Sequence, residues 1–175
     1  MIMTQAQTRQ IQIDLHEQSL ITGLAANYTA VRDVLERHHP IETNAGRCVY
    51  VPVDQWLSLQ LSWLNVRNRI INPQRVEAIQ LEVLEHGADA SVGWDFITIL
   101  QSGELVDGQH RMCALYWLWA KKQPAPQPIN VWVRYDAPEH VVRSIDAGRH
   151  RSPRDIQVMR SKAQGMRTQF RAPKR

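Results

Sequence analysis

The 175-residue sequence predicts a single α+β domain in which helical residues outnumber strand residues. Three observations lead to this expectation. Several segments repeat apolar residues every three or four positions, as amphipathic helices do, while shorter segments are rich in β-branched residues or alternate as strands do. These segments also follow one another without the strict strand–helix–strand rhythm of a parallel α/β protein. No internal repeat divides the chain further.

The first helical pattern extends from Ser19 to His38, because apolar residues recur there at helical spacing and Pro40 closes the helix. In the polar segment before it, Ile11, Ile13 and Leu15 alternate with polar residues, which is typical of a short strand. We expect the helix to be either a cap on the domain or a surface for a partner.

The other elements are recognised by capping residues at helix starts, glycine at helix ends and alternation in strands. Asp54 is placed to cap one helix, and Asn72 with Pro73 opens another that Gly87 ends. In order, the predicted elements are a strand at 48–53, helices at 55–64 and 73–86, strands at 96–100 and 105–106, a helix at 109–120, a strand at 129–135 and helices at 138–144 and 153–160.

The bulk composition is that of an ordinary soluble protein, with 43% hydrophobic and 22% charged residues. No apolar run approaches the roughly 18 to 20 residues of a membrane span, and the first ten residues do not resemble a secretory signal. Cys48 and Cys113 are too few for a disulfide framework and lack zinc-ligand spacing. We therefore expect a cytoplasmic protein.

The net charge of +4 conceals a strongly basic C-terminus. Residues 147–175 contain nine Lys and Arg against Asp155 alone, whereas residues 1–146 contain 12 basic and 16 acidic groups. Such a terminus suits the phosphate backbone of DNA, and a solvated tail that keeps the protein soluble is the alternative. The candidate DNA-binding residues are Arg160, Lys162, Arg167, Arg171, Lys174 and Arg175.

The segment Asp107–Arg111, with sequence Asp-Gly-Gln-His-Arg, is the main candidate site. Gly108 allows the chain to leave a strand and enter a helix, whose first N–H groups and positive dipole end attract anions. The planar guanidinium group of Arg111 can donate two hydrogen bonds to phosphate oxygens. His110 can donate a further hydrogen bond or act as an acid or base. Asp107 could orient these side chains or hold a divalent ion. The structural alternative is that Asp107 caps the helix and the two basic side chains form ion pairs.

Three segments together resemble the ParB/sulfiredoxin superfamily, and specifically its phage- and plasmid-borne ParB-like members. Asp-Gly-Gln-His-Arg before an apolar helix is similar to the nucleotide-phosphate motif of that superfamily. Residues 64–76 are similar to its Asn-Arg segment and following helix, and residues 145–152 to the element that ends the domain. The resemblance covers roughly residues 50–159 and implies a compact domain with a small mixed sheet surrounded by helices.

The resemblance also implies an organisation and a function. Residues 1–45 would form an N-terminal extension, 46–159 the ParB/sulfiredoxin-like domain and 160–175 a basic tail. Gly108, Gln109, His110 and Arg111 would bind the phosphates of ATP or CTP together with Mg or Mn. A weak nuclease or nucleoside triphosphatase activity would use His110 and Asp107, with Asp107 on the metal. The N-terminal helix would contact a second copy or a partner protein.

The resemblance places two further groups of residues near the phosphates. Asn68 and Arg69 belong to the Asn-Arg segment, for which a salt-bridged turn between helices is the alternative. A second phosphate-facing turn, with a purely structural ion pair as its alternative, comprises Asp146, Gly148, Arg149, Arg151 and Ser152.

The sequence departs from the sulfiredoxin pattern at Gln109, where those enzymes carry the catalytic cysteine. Sulfinic acid repair is therefore not expected, and Cys113, one helical turn further on, is expected to be a buried inert thiol. ParB proteins proper carry a more arginine-rich motif, which leaves the nucleotide open between ATP and CTP.

The tryptophans bear on possible partners. The chain contains six tryptophans, most of which we expect to be core anchors, with base stacking by an exposed one as a lesser alternative. The rival function keeps this fold but has no catalytic activity. The protein would then be an adaptor or inhibitor that acts by protein contact, such as a plasmid fertility-inhibition or phage regulatory protein.

Overall fold

The computed structural model describes residues 23–66, 70–121 and 127–146, with the side chains of Ser144 and Asp146 left out. The elements, in order, are α1 (Leu24–Glu36), β1 (Ile41–Thr43), β2 (Gly46–Val53), α2 (Gln55–Trp63), α3 (Pro73–His86), a 3₁₀ helix (Gly87–Ser91), β3 (Ile97–Leu100), β4 (Leu105–Asp107), α4 (Gln109–Ala120), β5 (Ile129–Ala137) and α5 (Val141–Asp146). The predicted α+β class is confirmed, and helical residues outnumber strand residues in the described ranges.

The five strands form one mixed sheet in the order β1-β2-β5-β3-β4. The pair β3–β5 is parallel, and the other three pairs are antiparallel. The last strand of the described residues, β5, therefore lies in the centre of the sheet. Because α4 connects β4 at the sheet edge to β5 at the centre, the start of α4 lies beside the edge strand.

One face of the sheet carries the core. Val49, Val51 and Val53 alternate inward along β2, and Val131 and Val133 do so along β5, all nearly inaccessible to solvent. The helices pack against this face in a single cluster that includes Leu61 of α2, Val76 of α3 and Leu115 of α4. The opposite positions of β2 and β5 face outward, and several of them are exposed.

The described residues before position 46, from 23 onward, contribute to this core. Val31 and Leu35 of α1 are fully buried in it, and β1 extends the sheet by pairing with β2. Polar contacts reinforce the packing, since Tyr28 donates to Asp136 of β5 at 2.5 Å. The first helix was expected either to cap the domain or to contact a partner. Its buried face caps the domain, so a partner would have to bind the opposite face.

Most predicted elements are observed, with differences at their ends. Asp54 and Asn72 cap α2 and α3 as expected, and β5 continues two residues beyond the predicted strand. The helix predicted at 138–144 begins three residues later, at Val141. β1 and the 3₁₀ helix were not predicted, because a three-residue strand and a single helical turn are too short to show periodicity. The predicted strand around 11–15 and the helix at 153–160 lie outside the described residues.

Within the described ranges, no helix is long and apolar enough to cross a membrane.

Candidate phosphate-binding turn

The turn between β4 and α4 requires glycine at position 108. Gly108 adopts a left-handed conformation with φ 96° and ψ 1°, which L side chains rarely take. A Cβ at this position would also collide with the side chain of Ile97 on β3. Glycine therefore allows the strand-to-helix turn to pack directly on the sheet, as the sequence predicts.

Asp107 and Arg111 are held together at this turn. The Asp107 carboxylate accepts the Gly108 N–H at 2.7 Å and lies 3.4 Å from a guanidinium nitrogen of Arg111. The guanidinium also donates to the backbone carbonyls of Asp95 and, at 3.3 Å, Phe96. Arg111 thus fastens the first turn of α4 to the segment that enters β3. This is the ion pair that the structural alternative foresaw, extended by two backbone bonds.

His110 connects two helix starts. Its Nε2 atom accepts the backbone N–H of Asn72 at 3.0 Å, so Nε2 carries no proton in this arrangement. The Asn72 side chain meanwhile caps α3 by accepting the N–H groups of Gln74 at 3.0 Å and Arg75 at 3.3 Å. The N-termini of α3 and α4 therefore meet across one imidazole ring. The sequence indicated both helix starts but not their contact.

Gln109, the first residue of α4, is buried without a partner for its amide. The residue is 5% exposed, and neither its side-chain oxygen nor its nitrogen has a hydrogen-bond partner. Leaving a buried amide unsatisfied costs about 1–3 kcal/mol. Most buried polar groups in proteins have a hydrogen-bond partner, so this amide needs an explanation, and a bound ligand or an ordered water would supply one.

Asp107 is the residue of this turn that could bind a divalent ion. Such an ion on a bound phosphate keeps several waters and needs only one or two protein carboxylates. Asp107 lies at the turn and is 15% exposed, so it can serve as one ligand. No group of three or more His, Cys, Asp or Glu that could hold a metal ion occurs among the residues the structure describes. A metal here would therefore depend on ligand phosphates.

The other predicted site residues lie wholly or partly outside the described residues. Asn68 and Arg69 lie outside the described residues, in the gap between Val66 and Ile70, a few positions before Asn72. Of the second turn, Asp146 is the last residue of α5, and its side chain is not described. Gly148, Arg149, Arg151 and Ser152 also lie outside the described residues, as do Arg160, Lys162, Arg167, Arg171, Lys174 and Arg175.

Sequence reasoning missed two contributors to the site. The first is Asn72, which was predicted only as a helix cap. The second is the pair of carbonyls at Asp95 and Phe96, which no sequence pattern reports because any residue supplies a carbonyl.

Comparison of the chain with protein-family profiles, with curated proteins and with solved structures finds no match.

Proposed function

We propose that the protein is a ParB-like nucleotide-phosphate and DNA-binding protein of a mobile genetic element, with a ParB/sulfiredoxin-like domain. The phosphates bind at the turn from Gly108 to Arg111. The observation that carries the proposal is the meeting of two helix N-termini at His110, the residue that follows Gln109, whose buried amide has no partner. The sequence resemblance supports the same turn independently.

Two helix starts make a stronger anion site than one. Each helix N-terminus carries roughly half a positive elementary charge, and the His110–Asn72 bond brings the starts of α3 and α4 together. The Gln109 amide can donate a further bond to a phosphate oxygen, which would satisfy the group that is unpartnered in the free protein. Asn68 and Arg69, which precede the Asn72 cap by four and three positions in the sequence, remain part of the proposed phosphate site.

Arg111 acts mainly by position in this proposal. Its guanidinium group donates hydrogen bonds to the carbonyls of Asp95 and Phe96, so the group is fixed at the turn. Its charge is partly balanced by Asp107 at 3.4 Å. The positive field at the phosphate therefore comes from the two helices together with this fixed cation.

A weak hydrolytic activity is the enzymatic form of the proposal. A magnesium or manganese ion would neutralise charge on the phosphates, with Asp107 as its protein ligand. His110 would act as acid or base, which requires Nε2 to release the Asn72 N–H or the ring to use its other nitrogen.

The rival adaptor function has one observation in its favour. Leu81 and Leu84, three positions apart on α3, are 56% and 53% exposed. Adjacent exposed leucines on one helix face suit a protein contact. Loss of partner binding in a Leu81→Lys, Leu84→Lys variant that still binds nucleotide would favour this function over the first.

The Gln109→Leu variant tests the phosphate site directly. The substitution keeps the volume and removes the unsatisfied amide, so the free protein should unfold at the same or a higher temperature. Nucleotide binding should weaken at least tenfold, measured by calorimetry with ATP and CTP in the presence of magnesium. The increase in unfolding temperature on nucleotide addition should shrink accordingly.

A matched control is Gln80→Leu, which alters another buried glutamine, on α3, whose amide donates to a carbonyl of α4 at 3.5 Å. This variant should retain nucleotide affinity. Unchanged affinity in Gln109→Leu, with wild-type binding by the control, would exclude the amide from the site. No nucleotide binding by the wild-type protein would reject the proposed function.

A further inference from the structure

The outward face of the sheet carries a cluster of aromatic rings. Tyr50 of β2 and Trp132 of β5 are directly paired across the two strands, with ring centroids 5.2 Å apart. Phe96, just before β3, lies with its ring centroid 5.9 Å from that of Trp132. Arg134 of β5 places its guanidinium carbon 4.5 Å from the centre of the Phe96 ring. We call Tyr50, Phe96, Trp132 and Arg134 the aromatic face.

Two of these rings are exposed, although the core lies on the other side of the same strands. Tyr50 is 51% exposed and Trp132 is 41% exposed, while their strand neighbours Val51 and Val133 are fully buried. Aromatic side chains contribute most when they are buried, so an exposed pair in contact marks a surface that something else covers.

The charge of the aromatic face points to an anionic occupant. The Nε atom of Arg134 is buried and has no hydrogen-bond partner. Within the described ranges, Arg134 forms no ion pair with a carboxylate. Asp136, two positions further along β5, instead binds Tyr28 at 2.5 Å and Arg32 at 3.2 Å. The face therefore combines stacking surface with one cation that is not neutralised.

The aromatic face adjoins the phosphate-binding turn. Phe96 contributes its ring to the face, while its backbone carbonyl accepts a bond from Arg111 at 3.3 Å. Asp107 of the turn is paired with Thr98, and Thr98 is paired with Arg134 across the neighbouring strand. A ligand with planar rings and repeating phosphates could thus extend from the turn onto the sheet.

We propose that the aromatic face binds single-stranded nucleic acid, with unpaired bases stacked on Trp132 and Tyr50 and a backbone phosphate at Arg134. This proposal rests on the proposed function, which places a phosphate at the neighbouring turn. It adds that the nucleic acid is single-stranded and that the protein binds it with a second surface. Bases in a duplex are already stacked on one another, whereas unpaired bases offer free faces to aromatic side chains. An apolar protein partner would have to bury the Arg134 charge without compensation, which is costly.

The test measures binding of a fluorescent oligothymidine of about 12 nucleotides, a length within the site sizes of single-strand binding proteins. Anisotropy should show the full-length protein binding this strand more tightly than a duplex of equal length. Trp132→Ala and Tyr50→Ala should each weaken single-strand binding by about 5- to 150-fold, the range for loss of one stacked base. Trp132→Phe should retain most of the affinity.

Two controls separate stacking from other effects. Trp56→Ala removes a tryptophan of similar exposure, 44%, from α2 instead of the sheet, and should leave the affinity unchanged. Arg134→Gln should lower the slope of log affinity against log salt by about 0.7, the value for one phosphate contact on a single strand. Circular dichroism verifies that each variant is folded.

The outcomes distinguish this proposal from the phosphate site. Equal single-strand affinity in wild type, Trp132→Ala and Tyr50→Ala would overturn the aromatic face, even if nucleotides still bind in a Gln109-dependent manner. Absence of single-strand binding by wild type would overturn it as well. Conversely, Trp132-dependent binding of oligothymidine without any nucleotide binding would support the face and reject the turn. If light scattering shows that the molecular mass of the protein halves in Trp132→Ala while single-strand affinity is unchanged, a second copy of the chain is the occupant of the aromatic face.

Discussion

At the scale of single residues, burial raises the pKa of two tyrosines and one cysteine. For Tyr28, desolvation is the main cause of the raised pKa, and the hydrogen bond to Asp136 adds to it. For Tyr135, desolvation again comes first, followed by the bond to Glu36 at 3.0 Å. Burial alone raises the pKa of Cys113 from 9.0 to about 12. The expected inert thiol at position 113 is consistent with this value, since the thiolate is the reactive form.

These shifts predict a loss of stability at alkaline pH. In the unfolded chain the cysteine and the tyrosines release protons near their ordinary pKa values of 9.0 and 10.0, whereas the folded protein retains them. The unfolded state then binds fewer protons, so the free energy of unfolding falls as pH rises above about 9. Below that pH the contribution of the three groups is constant. Urea unfolding at pH 8 and pH 10.5 measures the difference.

The Tyr28→Phe variant should show a smaller alkaline loss because it removes one of the three groups. At pH 8 it should be less stable than wild type by about 1–3 kcal/mol, since the Asp136 carboxylate and N–H both lose the hydroxyl. Tyr50→Phe, which alters an exposed tyrosine, serves as the control and should match wild type. An identical pH dependence in wild type and Tyr28→Phe would contradict the assignment.

At the scale of elements, the helix starts are well predicted because capping is local. Asp54 accepts the Leu57 N–H at 2.8 Å, and Asn72 accepts two N–H groups of α3, so the residue type and its position suffice. The contact between α3 and α4 is different. Asn72 and His110 are 38 positions apart, and no local pattern indicates that their helices meet.

Asn72→Asp tests whether the two helix starts act together on an anion. Aspartate caps helices as well as asparagine does, so the unfolding temperature should be nearly unchanged. The added negative charge should weaken phosphate binding severalfold, measured by calorimetry with ATP or CTP in magnesium. The reverse change at another cap, Asp54→Asn on α2, should leave phosphate affinity unaltered. Equal nucleotide affinity in Asn72→Asp and wild type would place the anion away from α3.

At the scale of the whole molecule, residues from both sides of position 46 form one core around one sheet. The predicted boundary there follows the extent of the family resemblance, whereas Val31 and Leu35 of α1 are buried against the same sheet as the rest. The predicted basic tail lies at the other end, outside the described residues, and its role remains a prediction from charge alone.

Removal of residues 160–175 tests that role. If the six cations of this segment contact duplex phosphates, the truncated protein should bind duplex DNA more weakly, and its salt slope should fall by up to about 5. Nucleotide binding at the turn should be unaffected, which provides an internal control. Anisotropy titrations at several salt concentrations give both slopes. A truncated protein with the wild-type salt slope would assign the tail to solubility.

The sequence by itself determined the α+β class, the positions of most helices and strands, and the glycine requirement at the β4–α4 turn. Each of these depends on residues within a few positions of one another, through periodicity, capping or backbone conformation. Only the tertiary structure decided that β5 lies in the centre of the sheet, that His110 bonds to Asn72 and that Arg111 holds the entry to β3. It also decided that Tyr50, Trp132 and Phe96 converge on an open face. These features join residues far apart in the chain, and strand order and packing, which local patterns do not encode, bring them together.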